Sequence, residues 1–324
     1  MRTYKFNEGP RHSMAILCKS PSSIASRCVF SGGVVDMLVS ASRFCHPISG
    51  PSLFLGLAFC LAVAPAKSDS ASSPFESPWT TQAGGAGQMR LVSTALHNGA
   101  YEAAVEIKLS PNAITYWRAP GEAGVPPVFS FEGSENVAHA NVLYPVPSRL
   151  NEGGIEAFGY KGTAIFPIRV DAGDAAKPSR LALTLNYAIC EQICIPAKGH
   201  VELWLPQSGD GRQQQAIAAA IARVPVPLAP ADIATKVVVR TEPGQAQPQW
   251  TVIWHGTEAA LDLFAEAPIG WAFDTRKTAE NIFSLNALEM PSDKRRVTVH
   301  LTLAGATKSY EFDVPLEIPA LTSK

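Results

Sequence analysis

"RLALTLNYAICEQICIPAKGHVELWLP", residues 180–206, is the stretch that decides the fold. Leu181, Leu183, Leu185, Tyr187 and Ile189 recur at every second position before a short bend, and Val201, Leu203 and Leu205 do so after it. A period of two is that of a half-buried strand, so the stretch reads as two strands folded against each other. Cys190 and Cys194 stand at the bend.

The same pattern continues outward on both sides. "QMRLVSTAL", "YEAAVEIKLS", "ITYWRA", "PVFSFEGS", "VAHANVLYP" and "TAIFPIRV" are short, often alternating, and separated by Gly, Pro, Asn and Asp. This predicts an all-β chain with a first β-sandwich over 89–207. Its aromatics Tyr116, Trp117, Phe129, Phe131 and Trp204 are expected to pack in the core. "DGRQQQAIAAAIAR" (210–223) has the composition of a helix and runs into the proline-rich "VPVPLAP", so 208–235 reads as a helix and linker. Beyond it "KVVVRTE", "QWTVIWHG", "ALDLFAEA", "NIFSLNALE", "RRVTVHLTLAG" and "KSYEFDVPLEI" predict about six strands of a second, smaller β-sandwich over 236–320.

The N-terminal part reads differently. "SLFLGLAFCLAVA" (52–64) is uncharged, apolar and shorter than the roughly 20 residues of a spanning helix, and Ala64-Pro65-Ala66 follows as a small-residue cleavage pattern. Residues 1–66 are therefore expected to be a leader and signal peptide, with either Met37 as the true start or 1–36 as an unstructured leader, and the mature chain to carry no membrane span. Residues 67–88, rich in Ser, Gly, Pro and Thr, are expected to be a flexible lead-in.

Of the six cysteines, Cys18, Cys28, Cys45 and Cys60 precede the cleavage pattern, so export leaves Cys190 and Cys194 alone. Two thiols in an oxidising compartment pair, and four residues across a bend suit the Cα separation of a disulfide. Three roles are open to them. A structural staple is the default for an exported protein, but closing so short a loop contributes only about 2 kcal/mol in the chain-entropy model. A redox-active pair exploits the exposure of a hairpin tip to an incoming thiolate. A soft-metal site for Cu(I) or zinc has two thiolates but only His200 as a nearby imidazole, so no metal set is completed.

The order of "ITYWRAPGEAGVPPVFSF", "ENVAHANVLYPVPSRL", "FGYKGTAIFPIRV" and "NYAICEQICIPAKGHVELWLP" resembles the N-terminal periplasmic domain of the DsbD family of thiol:disulfide interchange proteins, over roughly 89–207. The resemblance implies an immunoglobulin-like first sandwich and a protein-disulfide reductase type of oxidoreductase. Cys190 and Cys194 would take electrons from a membrane-embedded thiol reductase and pass them to periplasmic thioredoxin-like proteins, in the service of processes such as cytochrome c biogenesis. It also implies that "EAFGYKG" is a cap loop, with Phe158 and Tyr160 over the sulfurs. No cofactor is implied, because the thiols themselves carry the electrons. The family's better-known members space their cysteines more widely and continue into a membrane domain and a thioredoxin-like domain. The chain is thus expected to be a stand-alone member that takes electrons from another chain.

Lys198 and His200 follow the pair and are expected to favour a thiolate, with Glu191 opposing them; as plain charges on a hairpin they would be merely solvated. The balance of 27 Lys+Arg against 28 Asp+Glu gives no basic excess for nucleic acid. The chain has no G-x-S-x-G, H-E-x-x-H or phosphate-binding glycine loop, so hydrolase chemistry has no support. The rivals to a thiol carrier are a non-enzymatic β-sandwich binding or scaffold module with a structural disulfide, and a copper-handling protein.

Overall fold

Alternating apolar residues force strands to pair into layers, and the computed structural model shows those layers over residues 73–122, 124–243 and 247–318. The leader and signal peptide expected over 1–66 lie outside the described residues. Eleven strands are described before Pro206: β1 (Thr80–Gln82), β2 (Gly87–Ser93), β3 (Ala100–Leu109), β4 (Ile114–Gly121), β5 (Val128–Ser130), β6 (Val137–Val142), β7 (Ser148–Glu152), β8 (Ile155–Lys161), β9 (Thr163–Ala172), β10 (Ser179–Cys190) and β11 (Cys194–Leu205). They form two sheets, β1-β2-β3-β9-β6 and β11-β10-β4-β8-β7, with β5 added to β10. The inner faces enclose one apolar core that includes Met89, Tyr101, Trp117, Phe166, Leu183 and Tyr187.

Residues 73–88, expected to be flexible, are held in place from Phe75 onward. Phe75 is buried, the Ser77 amide donates to Leu91 O at 2.8 Å, and β1 pairs with β2. The helix expected over 210–223 forms as α1 (Gln214–Ile221), whose Ile217 buries against Val92 and Ala104. The connection is therefore packed against the first sandwich. It continues through β12 (Val226–Pro227), which runs parallel to the last strand, and α2 (Pro230–Lys236), whose Pro230 begins the helix where its missing N–H costs nothing.

The second sandwich adds β13 (Val237–Glu242), β14 (Gln249–Trp254), β15 (Ala260–Glu266), β16 (Ala272–Ala279), β17 (Ile282–Glu289), β18 (Arg296–Gly305) and β19 (Tyr310–Glu317). Its sheets, β12-β19-β18-β15 and β13-β14-β17-β16, close over Trp250, Phe283, Val299 and Leu301. β16 was missed in the sequence because "AFDTRKTA" carries little apolar alternation.

The two sandwiches are joined by more than the connecting chain. Phe264 of β15 packs into the core of the first sandwich, edge-on to Phe158 at 5.1 Å and to Trp117 at 5.8 Å. Around it, Arg118 donates to Glu266 and Glu311, and Arg149 donates to Asp262, to Leu263 O and to Thr275. Forked guanidinium contacts of this kind fix orientation as well as distance. Among the described residues no helix is long and apolar enough to cross a membrane.

Candidate functional site

β10 and β11 pair without interruption from Ser179↔Leu205 to Cys190↔Cys194, so the last rung of this long hairpin is the cysteine pair itself. The Cα atoms stand 4.0 Å apart and the sulfurs are joined as a disulfide. Three residues, Glu191, Gln192 and Ile193, close the tip. Cys190 is 1% exposed, whereas Cys194 lies open to solvent. Access to the two sulfurs is therefore unequal.

Alternation determines what surrounds them. Tyr187 and Ile189 point into the main core, and Ala188 and Cys190 point to the opposite, outer face of the sheet. There they join Ile114 and Tyr116 of β4, Ala157 of β8 and Leu150 of β7 in a small buried cluster. The connection after β4 folds over it. A Cβ on Gly124 would lie 2.7 Å from the Tyr116 ring and 2.3 Å from Pro120, so only glycine allows the backbone to lie this close.

Two polar side chains reach the sulfurs across this face. The Tyr116 hydroxyl is 2.9 Å from Cys190 Sγ and 3.2 Å from Cys194 Sγ, and it donates to Glu152 Oε2 at 2.5 Å. Glu152 Oε1 is 2.7 Å from Cys194 Sγ. Glu152 owes its place to the β7–β8 turn: Gly153 and Gly154 both have positive φ, as a tight two-residue hairpin turn requires, and Glu152 pairs with Ile155 at its base. Burial, and then the hydrogen bond and charge of Glu152, push the Tyr116 phenol well above its ordinary pKa. Tyr116 is therefore a neutral donor throughout the neutral pH range. The disulfide sulfurs have no proton to give, so its single proton goes to Glu152 until a thiolate forms beside it.

Phe158 and Tyr160 are not brought over the sulfurs. They occupy the positions of β8 that face inward, where Phe158 packs on Phe264 beneath the Arg149 guanidinium, and Tyr160 packs on Phe166 and donates to Pro145 O. Ala157 and Gly159, not the aromatics, share the face of the disulfide, because side chains alternate along a strand. Lys198 and His200 share the outer face of β11 with Cys194 but stand four and six residues away, roughly 13 and 20 Å at the rise of a strand. His200 is engaged with Thr184 and Glu202 instead. Glu191 does lie beside the pair, in the turn. Trp204, expected in the core, is 56% exposed on the outer face of β11.

The residues that do touch the sulfurs were not singled out in the sequence. Tyr116 read as a core aromatic, and it is buried, but its hydroxyl faces the pair. Glu152 lies 42 positions from Cys194 in sequence, and no local motif links them. The strand order β10-β4-β8-β7 makes the connection. The carboxylate and the two sulfurs fall within 4.8 Å of one another.

None of the curated proteins matches the chain. In structure the chain is similar to the N-terminal periplasmic domain of ScsB from Proteus mirabilis, with 19% identity and a TM-score of 0.62, over 76% of this chain and all of that one. That share exceeds the first sandwich, so the shared fold takes in strands of both. A comparison with the YadV chaperone gives 7% identity and a TM-score of 0.20 over 70% of this chain and 99% of that one, which carries no fold relationship. The family model described as thiol:disulfide interchange protein DsbD, N-terminal, matches residues 87–206. These limits coincide with β2 to β11, which include the strands that build the disulfide site, and over residues 87–206 the chain is a DsbD-N-like domain.

Proposed function

We propose that the chain is a periplasmic thiol:disulfide exchange protein that relays electrons through Cys190 and Cys194, from a membrane-embedded thiol reductase to periplasmic thioredoxin-like proteins. The observation that carries this reading is a disulfide between one exposed and one buried cysteine, with a protonated phenol beside the buried one. The apolar stretch and cleavage pattern at 52–66 support export. In this reading the exchange module spans 89–207, with 236–320 as the second sandwich.

An incoming thiolate attacks the exposed Cys194 Sγ and forms a mixed disulfide. The Cys190–Cys194 bond breaks, its electron pair leaves on Cys190 Sγ, and the Tyr116 hydroxyl at 2.9 Å donates to the new thiolate. A second thiol of the reductase then resolves the mixed disulfide, leaving the reductase oxidised and both cysteines reduced. In the forward transfer Cys194 attacks a substrate disulfide and Cys190 resolves. While no partner is present, the Glu152 carboxylate accepts the Cys194 S–H, and its negative charge opposes premature ionisation.

Once the pair is reduced its two thiolates suit a soft metal, with the Glu152 carboxylate as a harder third donor, which keeps copper handling as the second reading. Equilibration with defined thiol buffers separates a carrier, with a potential above about −300 mV, from a structural staple below it. Cys190→Ala should trap a mixed disulfide on Cys194. A potential well below that limit, together with no trapped adduct from either single-cysteine variant, leaves the staple. Retention of Cu(I) by the reduced chain with no exchange leaves the metal reading.

A further inference from the structure

A cleft of about 640 Å³ runs between the two sandwiches, with Pro120 and Ile155 on one wall and Trp271, Phe273 and Leu288 on the other. Its size, and its apolar walls interrupted by the charged Glu122, Glu156, Asp274 and Arg276, are those of a site for a small ligand or a few side chains of a peptide. The Trp271 and Phe273 rings stack in parallel, 2° apart with centroids 5.7 Å apart. The ion pairs of Arg118 and Arg149 hold the two walls in register, so the cleft is preformed.

Both segments of the first wall also build the disulfide site. Pro120 precedes Gly124, which lies on the Tyr116 ring, and Ile155 is paired with Glu152, which touches Cys194 Sγ. A chain passing over Cys194 and Glu152 therefore enters the cleft within a few residues. At the edge of the cleft, Ile269, in the turn between the lining residues Ala267 and Trp271, is fully exposed, an apolar side chain with no role in a core. The rim beside the sulfurs carries Glu152 and Glu191, and the exposed Glu122 lines the cleft. A reactive thiolate is held by positive surroundings, so this rim complements the neighbourhood of a partner's attacking cysteine.

We propose that this cleft is the docking groove for an extended apolar segment that flanks the reactive cysteine of the thiol partner, so that the second sandwich takes part in choosing what reacts. The inference rests on the exchange reading above. The partner thiolate forms its bond to Cys194 Sγ, the Cys190–Cys194 bond breaks, and Cys190 leaves as the thiol after protonation, just as with any thiol. The groove changes only which thiol is delivered.

The test reacts the oxidised chain with neutral synthetic peptide thiols: cysteine flanked by Leu-Phe-Leu on one side or the other, the same peptides with Ser-Asn-Ser, and N-acetylcysteine amide as a baseline. Acid-quenched mixed disulfides give second-order rates. At least one apolar peptide should react about tenfold faster than its polar counterpart, equivalent to about 1.4 kcal/mol. Ile269→Asp, at a fully exposed position that leaves folding intact, and Trp271→Ala should each remove most of that advantage while leaving the baseline thiol unchanged. Equal rates for apolar and polar peptides, or an advantage that survives both substitutions, overturn the groove and leave exchange standing. No reaction with any thiol, the baseline included, overturns the exchange reading and the groove with it.

Discussion

Tyr116→Phe isolates the one group that the structure places against the buried sulfur. The ring still fills the space among Ile114, Leu150, Ala157 and Cys190, so packing is conserved and only the hydroxyl is lost. In the oxidised chain that hydroxyl donates to Glu152 at 2.5 Å, and when the disulfide opens, a thiolate appears 2.9 Å away on Cys190. A hydrogen bond to an ionised acceptor is worth about 1.5–3 kcal/mol, which as transition-state stabilisation is roughly 10- to 150-fold in rate. The phenol's raised pKa keeps it protonated through neutrality, so the deficit should be equal at pH 6 and pH 8. Acid-quenched reaction of the oxidised chain with N-acetylcysteine amide measures it. A folded Phe variant with its disulfide intact, exchanging within about threefold of the parent, would refute the argument that Tyr116 supports the leaving sulfur.

Three further outcomes follow from the same geometry. Glu152→Gln removes the carboxylate that opposes ionisation of Cys194, so the reduced chain should be alkylated by iodoacetamide roughly five- to tenfold faster at pH 7, and an unchanged or slower rate contradicts that role. Phe158→Ala should destabilise the chain by about 3 kcal/mol in denaturant titration, since the ring is 8% exposed and packed on Phe264, while exchange stays within twofold; faster exchange with little loss of stability would place the ring over the sulfurs after all. The His300 imidazole is raised to about 9, first by its hydrogen bond to Glu311 and further by Asp313 and Glu266, so it stays charged in the folded chain where an unfolded one has lost its proton. Its contribution is complete below about pH 6.5 and lost as pH climbs through about 9; discounted for solvent exposure it is about 1–2 kcal/mol, seen as a fall of about 3–6 °C in Tm that His300→Gln should abolish.

Much of this protein is legible from local pattern. Leu181 to Ile189 and Val201 to Leu205 alternate because one face of each strand must be buried, and that rule alone predicts an all-β chain and brings Cys190 opposite Cys194 at a bend. The helix near Gln214 and the proline-rich connection are equally local, being set by side-chain preference and a missing N–H. The cap and the charges around the sulfurs were not legible in this way. The family resemblance implied Phe158 and Tyr160 over the disulfide, whereas strand alternation turns them inward. Tyr116 and Glu152 meet the sulfurs because β4, β8 and β7 lie side by side with β10, a matter of strand order across 74 and 42 positions that no periodicity records. The cleft against the second sandwich depends in the same way on Phe264, Arg118 and Arg149, whose partners are chosen by the packing of whole sheets. Hydrophobic period determines which side of a strand faces water, whereas the identity of the neighbour on that side is decided only when the sheets assemble.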